Sequence, residues 1–215
     1  MKPRTWHPNG PVVRDDGEPD VVLRVRYQQP EACGLLARLL LEVVGASPEA
    51  WDDAAVVCIG TDRSTGDSLG PLVGSHLARL VPRLRVYGTL EEPVHATNLG
   101  DTLVRLAARP PSFTLAVDAC LGRAENVGSL TLRMGPLRPG TGVRKTLPEV
   151  GNAHIVGVVN VGGFMEYLVL QNTRLGVVWQ MAQVIAGGIA QAAATAWSRQ
   201  SAAAPELGPP CTLPR

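Results

Sequence analysis

The sequence predicts an α/β fold, a three-layer α/β/α sandwich built around a mostly parallel, twisted sheet. Short apolar runs at residues 54–59, 113–117 and 155–159 are typical of buried strands. Segments with apolar residues at helical spacing alternate with these runs. Because strands and helices alternate, we expect parallel strands joined by helices that cover both faces of the sheet.

One domain is expected over residues 21–200, because the chain of 215 residues is long enough for one sizeable core and contains no internal repeat. Residues 1–20 are polar and rich in Pro, Asp and Gly, which predicts a flexible N-terminal arm. Residues 201–215 are predicted to be a disordered C-terminal tail.

Three further strands are expected between these features. Residues 21–25 predict a short edge strand, and residues 84–88 predict another strand. Residues 127–133 alternate apolar and polar side chains, which is typical of a half-buried strand. Residues 135–142 are rich in Gly and Pro and predict a loop.

Four main helices are predicted. The first covers residues 31–44, the second begins near Pro71, the third runs from Asn98 to residue 108, and the last is the long C-terminal stretch. Proline favours the first turn of a helix, so Gly70 is the expected cap before Pro71. Asn98 is the expected cap of the helix that ends at residue 108. Residues 45–53 are expected to be a simple connection, and Asn172 or Thr173 to cap the last helix.

The last predicted helix has two possible interpretations, a membrane span and a helix of the protein core. Residues 175–197 carry no charged side chain and could span a bilayer. Their glutamines and Gly187 share one helical face, while the opposite face is apolar. Such periodicity predicts an amphipathic helix packed on a sheet rather than a membrane span. The apolar face consists of Leu175, Val178, Ala182, Ile185, Ile189, Ala193 and Ala196.

Charge and cysteine usage narrow the class of protein further. The formal net charge is +1, so no strong field attracts nucleic acid or an anionic membrane. The four cysteines (Cys33, Cys58, Cys120 and Cys211) form no C-x-x-C pair and have no closely spaced His, which argues against structural zinc and a disulfide scaffold. The first residues lack the apolar core of a signal peptide. We therefore expect a cytoplasmic protein with no cofactor.

Two aspartates follow predicted buried strands. Asp67 lies in the polar, glycine-containing segment after residues 54–59, and Asp118 directly follows residues 113–117. Parallel strands bring their carboxyl ends to one edge, so the two carboxyl groups are expected to meet there. Two close carboxyl groups do not both ionise easily, so one of them keeps its proton. The protonated group can then act as a general acid and the ionised group as a general base. Either aspartate alone would be better explained as a loop cap.

Other polar groups give weaker signals. Residues 60–66 lack the ending of a phosphate-binding Walker loop. Glu91, Glu92 and His95 are metal-ligand types, but a solvated loop explains their spacing better. Cys120 has no paired base and a carboxylate nearby, so a reactive thiolate is not expected. Arg123 could hold a carbonyl or carboxylate group, or form a surface ion pair.

Several separated motifs resemble the sporulation protein YyaC family. Residues 58–71 (CIGTDRSTGDSLGP) carry the strongest match. Further matching stretches are residues 87–90, 93–96, 118–123, 139–143, 159–160 and 169–175. The resemblance covers roughly residues 30–200 in several motifs, which makes chance agreement improbable.

That family is similar to the germination protease of spore-forming bacteria and, more distantly, to the hydrogenase-maturation endopeptidases. The resemblance implies a phosphorylase/hydrolase-like fold and the use of two aspartates, matched here by Asp67 and Asp118. Thr65, Leu69, Gly70 and Pro71 also match the first motif of the germination protease, whereas Gly66 replaces a proline. Ala119 and Arg123 match its second motif, and residues 139–143 match a third with Thr141 in place of Ser. The nickel-recognising residues of the hydrogenase-type enzymes are not reproduced, since Ser68 occupies the usual ligand position.

The resemblance implies an aspartate-dependent endopeptidase that acts on small spore proteins during sporulation or germination in the cytosol of the forespore or mother cell. Two alternatives stay open: a non-catalytic sporulation scaffold or peptide-binding protein on the same fold, and a metal-dependent maturation-type endopeptidase. The expected partner is a protein or peptide substrate. Binding to nucleic acid or to a membrane is not expected, and the chain could form a homo-oligomer. The expected substrate-binding residues are Thr61, Asp62, Arg63, Ser64, Thr65, His95 and Arg123.

Overall fold

The fold is built on one six-stranded sheet with the strand order β1-β5-β6-β4-β2-β3. It comes from a computed structural model that describes residues 21–139 and 147–202. The expectations for residues 1–20, for most of the 139–143 motif and for residues 203–215 lie outside the described residues. The strands are β1 (Val21–Arg26), β2 (Ala54–Cys58), β3 (Arg85–Tyr87), β4 (Phe113–Gly122), β5 (Ser129–Met134) and β6 (Ala153–Val161).

The sheet is mostly parallel, as the sequence predicts. Strands β6, β4, β2 and β3 pair in parallel, whereas β5 pairs antiparallel with both β6 and β1. Every residue of β2 is buried, which matches its continuous apolar sequence. The edge position of β1 is also as predicted.

Helices lie on both faces of the sheet, but unequally. The helices are α1 (Ala32–Val44), α2 (Pro48–Asp52), α3 (Leu69–Leu80), α4 (Leu99–Ala108), α5 (Glu166–Gln171) and α6 (Leu175–Ala202). The larger core joins one face of the sheet to α1, α3 and α6. On the other face, a smaller core joins α4 to β2 and β4 through residues such as Leu99 and Val57. The α/β/α prediction is therefore confirmed.

Three local predictions are wrong. Residues 45–53 are not a simple connection, because they include helix α2. The Ser47 side chain caps this helix by accepting a hydrogen bond from the Ala50 N–H. Helix α3 begins at Leu69, directly after a short 3-10 helix (Gly66–Ser68), so Gly70 and Pro71 lie inside its first turn. Neither Asn172 nor Thr173 caps α6, because each side chain donates back to a carbonyl four residues earlier.

Helix α6 packs as its periodicity predicts. Val178, Ile185 and Ile189 are fully buried, whereas Gln180 and Gln191 are exposed. Leu175 is the exception on the apolar face, since it is exposed at the helix start. Leu175–Arg199 is long and apolar enough to cross a membrane, yet half of its most apolar window is buried inside the protein. A core helix explains this composition. The helix runs to Ala202, two residues past the predicted domain end.

Candidate active site

Asp67 is held by a loop that folds back on the end of β2. The N–H of Thr61 donates to the main-chain oxygen of Asp67 at 3.1 Å. The main chain at Gly60 lies so close to Asp67 that a Cβ atom at Gly60 would be 2.0 Å from the main-chain oxygen of Asp67. Gly60 also has a φ of +145°, a conformation that residues with a side chain rarely adopt. Gly60 is therefore required for the position of Asp67.

Asp118 lies within β4 and not at its end, which corrects the sequence-based expectation. Strand β4 continues to Gly122 because it stays paired with β6. The neighbouring strand β2 ends earlier: Cys58 pairs with Val117, and the Ile59 N–H donates to the Val117 carbonyl at 2.7 Å. Asp118 is thus the first residue of β4 beyond the end of β2. That position brings it to the edge of the sheet where Asp67 lies.

The two carboxyl groups interact but lie in different environments. Burial raises the pKa of Asp118 well above its usual range, and the neighbouring Asp67 raises it further. The Ala119 N–H, which donates to the Asp118 carboxyl at 2.8 Å, opposes this shift. Burial also raises the pKa of Asp67, but the Thr61 N–H and the nearby His95 act against it. The more strongly protonated member of the pair is therefore Asp118.

His95 reaches the pair through the segment that follows β3. Val94 forms a parallel bridge with Ile59, and its carbonyl accepts the Gly60 N–H at 2.8 Å. One ring nitrogen of His95, Nδ1, lies 2.9 Å from the Thr97 hydroxyl. The half-buried imidazole is close enough to Asp67 to favour its ionised form. The structure therefore places His95 within electrostatic reach of Asp67, which in turn interacts with Asp118.

The neighbouring acidic residues do not join this group. Glu91 and Glu92 are both exposed. Within residues 21–139 and 147–202, no three His, Cys, Asp or Glu side chains are grouped closely enough to hold a metal ion.

The other predicted substrate-binding residues differ in position. Asp62 and Arg63 are exposed on the loop before Asp67, and Thr61 and Thr65 are half-buried there. Ser64 is only 9% exposed, and its hydroxyl is buried without a hydrogen-bond partner in the described structure.

Arg123 is not brought to the carboxyl pair. It is highly exposed and lies 4.0 Å from the Glu125 carboxylate. Along an extended strand, five residues beyond Asp118 corresponds to roughly 16 Å.

Cys120 lies two residues after Asp118, on the same side of β4. Burial and the Asp118 carboxyl together raise the pKa of the Cys120 thiol to about 11. The sequence-based expectation of an unreactive thiol agrees with this environment.

Helix α5 and the groove beside it were missed by the sequence reasoning. Gly66, which replaces the proline of the germination-protease motif, lies against this helix. A Cβ atom at Gly66 would lie 2.8 Å from the Leu170 side chain and 2.9 Å from the Thr173 hydroxyl. A side chain at Gly66 would therefore require Leu170 and Thr173 to move.

The groove along α5 is apolar and open. It encloses about 600 Å³ between the end of β6 and α5. Phe164 is 83% exposed, and the adjacent Met165 has a φ of +49°, which is uncommon for a residue with a side chain. The apolar residues that follow Gly162-Gly163 were the sequence signal for this surface. Its lining includes Val161, Phe164, Met165, Leu168 and Val169.

The fold and the site together define an α/β protein with an interacting pair of carboxyl groups at the carboxyl edge of a mostly parallel sheet. The chain belongs to the family described as "Protein of unknown function (DUF1256)", which it matches over residues 24–188. It is 57% identical over 148 residues to the "Uncharacterized protein YyaC" of Bacillus subtilis (strain 168), covering 67% of this chain and 72% of that protein. The predicted family resemblance is therefore confirmed.

Among solved structures, the chain is similar to a [NiFe] hydrogenase maturation protease, HycI, from Thermococcus kodakarensis KOD1. The sequence identity is 17% and the TM-score is 0.41, over 63% of this chain and 91% of that protein. A similarity of this degree does not bear on activity.

Proposed function

We propose that this protein is an aspartate-dependent endopeptidase of the cytosol that acts on small spore proteins during sporulation or germination. The observation that carries the proposal is the interacting Asp67–Asp118 pair: burial raises the pKa of both carboxyl groups, that of Asp118 well above its usual range, while the Thr61 N–H and His95 oppose the shift at Asp67. Pairs of titratable groups with separated pKa values are typical of acid and base assignments in active sites.

The electrostatic environments suggest the role of each carboxyl group. Asp67, which the Thr61 N–H and His95 favour as an anion, would take a proton from a water molecule held between the carboxyl groups. The oxygen of that water attacks the peptide carbonyl carbon. Asp118, which is protonated more readily, would donate its proton to the leaving nitrogen as the C–N bond breaks. Asp67 is thus the proposed base and Asp118 the proposed acid.

The oxyanion that forms would need hydrogen-bond donors near the pair. Arg123 is a poor candidate because it is exposed and separated from Asp118 along β4. In the loop before Asp67, the N–H groups of Gly60 and Thr61 are already occupied. The buried Ser64 hydroxyl has no partner in the described structure and is the donor that we favour.

The apolar groove supports a polypeptide as the substrate. Large exposed apolar surfaces on proteins commonly mark binding sites for other chains. This groove borders the catalytic loop through the contact of Gly66 with Leu170 and Thr173. A peptide that lies along α5 would therefore lie beside the loop that carries Asp67.

The test is incubation with small acid-soluble spore proteins, with the fragments identified by mass spectrometry. We expect cleavage by the wild-type protein and loss of cleavage in both Asp67→Asn and Asp118→Asn. Asp101→Asn is the matched control, because Asp101 is exposed in α4 and is not among the expected site residues. Full activity in either active-site variant contradicts the acid-base mechanism, and activity that a strong chelator abolishes favours the metal-dependent alternative.

A second candidate function is peptide binding without cleavage. The exposed groove favours it as much as it favours a peptidase, since either activity requires a surface for a chain. A protein that binds spore peptides with equal affinity before and after both aspartates are changed, and never cleaves them, would support this alternative.

A further inference from the structure

The last residues of β4 have an edge beside which no described strand lies. Strand β2 pairs with β4 only as far as Cys58 and Val117, and a last bond joins the Ile59 N–H to the Val117 carbonyl. Strand β4 nevertheless continues to Gly122, because β6 pairs with its other side. The side of residues 118–122 that faces away from β6 is therefore an edge of the sheet, close to the carboxyl pair.

The hydrogen bonds at both ends of this segment show which main-chain groups face the edge. The Val117 carbonyl faces β2, whereas the Gly122 carbonyl faces β6 and accepts the Gly162 N–H at 2.8 Å. The main-chain groups of successive residues in a strand point alternately to its two sides. Ala119 and Leu121 therefore direct their N–H and carbonyl groups to the edge.

Three of these four groups have no hydrogen-bond partner among the residues that the structure describes. The Ala119 N–H is the exception, since it donates to the Asp118 carboxyl at 2.8 Å. The Ala119 carbonyl and the N–H and carbonyl of Leu121 form no such bond within the described ranges. Unpaired main-chain groups on a strand edge are a template for pairing with another extended chain.

The edge also adjoins the apolar groove. The side chains of Ala119 and Leu121 pack against the larger core, which holds this part of β4 in place. Gly162 lines the groove, and a Cβ atom there would lie 3.1 Å from the Leu121 side chain. The edge therefore begins at Asp118 and ends beside the groove.

We propose that the substrate polypeptide binds as an extended strand along this edge of β4 and so adds a strand to the sheet. The inference rests on the proposed function, because it states how that site would hold its substrate. In either direction, the added strand would form three main-chain hydrogen bonds, with the Ala119 carbonyl and with the N–H and carbonyl of Leu121. Bonds of this kind give affinity that depends little on the substrate sequence.

This placement would bring a peptide bond of the substrate to the carboxyl pair. Neighbouring strands lie about 4.8 Å apart, so the added strand would pass Asp118 at roughly that distance. One water molecule that forms two hydrogen bonds of about 2.8 Å each spans a gap of about 5 Å. The attacking water of the proposed mechanism would therefore fit between Asp118 and the substrate main chain.

The test measures peptide binding by the full chain with Asp67→Asn, so that the probe is not consumed. The probes are a capped hexapeptide of alternating Thr and Val, which favour extended structure, and the same peptide with every amide nitrogen methylated. Methylation removes the two donors that the strand would offer to the Ala119 and Leu121 carbonyls, so the affinity should fall roughly 10-fold or more.

Amide hydrogen exchange, followed by NMR, locates the binding edge directly. In the free protein, we expect the Leu121 N–H to exchange faster than the N–H groups of Cys120 and Gly122, which face β6. Binding of the unmethylated peptide should slow the exchange of the Leu121 N–H.

A pair of protein variants tests the same hydrogen bond. Leu121→Pro removes the N–H that faces the edge, and proline is tolerated on strand edges. Leu121→Ala is the matched control, because it also loses the leucine side chain but keeps the N–H. We expect Leu121→Pro to bind the unmethylated peptide several-fold more weakly than Leu121→Ala does.

The outcomes separate this inference from the proposed function. Peptide binding that protects the Leu121 N–H, without cleavage of spore proteins by the wild type, supports the edge site and contradicts the endopeptidase. Cleavage of spore proteins without protection of the Leu121 N–H supports the endopeptidase and overturns the edge site. The edge site is also overturned if the Leu121 N–H of the free protein exchanges as slowly as that of Cys120, if the two peptides bind equally well, or if neither binds.

Discussion

Replacing Gly60 with alanine tests how the fold positions Asp67. The new Cβ atom would lie 2.0 Å from the main-chain oxygen of Asp67, so the loop must move. Forcing a side chain into a tightly packed position typically costs about 1–3 kcal/mol. The φ of +145° at Gly60 adds strain of the order of 1–3 kcal/mol. We therefore expect a loss of about 2–6 kcal/mol from a total stability of about 5–15 kcal/mol.

The assay is urea unfolding followed by circular dichroism. With an m value of about 3 kcal/mol/M, a loss of about 4 kcal/mol lowers the unfolding midpoint by about 1.3 M. Gly100→Ala is the matched control, because a Cβ atom there meets nothing within 4 Å and Gly100 is exposed in α4. That control should stabilise the protein by up to about 1 kcal/mol. Equal midpoints for Gly60→Ala and wild type would refute the reasoning about this loop.

Three other changes have definite expected outcomes. Asp118→Asn should stabilise the protein at pH 8, because the raised pKa of Asp118 means that its ionisation opposes folding. The stabilisation should disappear at a pH below the ordinary aspartate pKa of about 3.9, and a difference in urea midpoint that is equal at that pH and at pH 8 would contradict this expectation. Phe164→Ala should change the unfolding free energy by less than about 0.5 kcal/mol, since the side chain is 83% exposed, but should raise the KM for a peptide; an unchanged KM would count against the groove. Alkylation of Cys120 by iodoacetamide, followed by mass spectrometry, should be slow at pH 8 and accelerate towards pH 11, and fast reaction at pH 8 would show that its thiol is not in the described environment.

The fold class was predictable because it depends on patterns that the sequence carries locally. The apolar run of β2 and the spacing of apolar residues in α6 determine where each element lies. The extent of β4 was not predictable in this way. Four of the residues from 118 to 122 are polar or small (Asp118, Ala119, Cys120 and Gly122), and the segment remains in the strand because β6 pairs with it. That pairing is a long-range contact with no local signal.

The candidate site was predictable in part. The two aspartates could be identified from their place after apolar runs and from the family motifs. His95 reaches Asp67 because Val94 pairs with Ile59, a contact between distant segments.

The most direct test of the central claim is a carbon-13 NMR titration of the aspartate carboxyl groups in wild type and in Asp67→Asn. We predict that Asp118 titrates well above the usual aspartate range, above Asp67, and that its pKa falls when Asp67 is replaced, because one negative neighbour is lost. An Asp118 that titrates in the ordinary range, or whose pKa is the same in both proteins, would contradict the proposed acid-base pair.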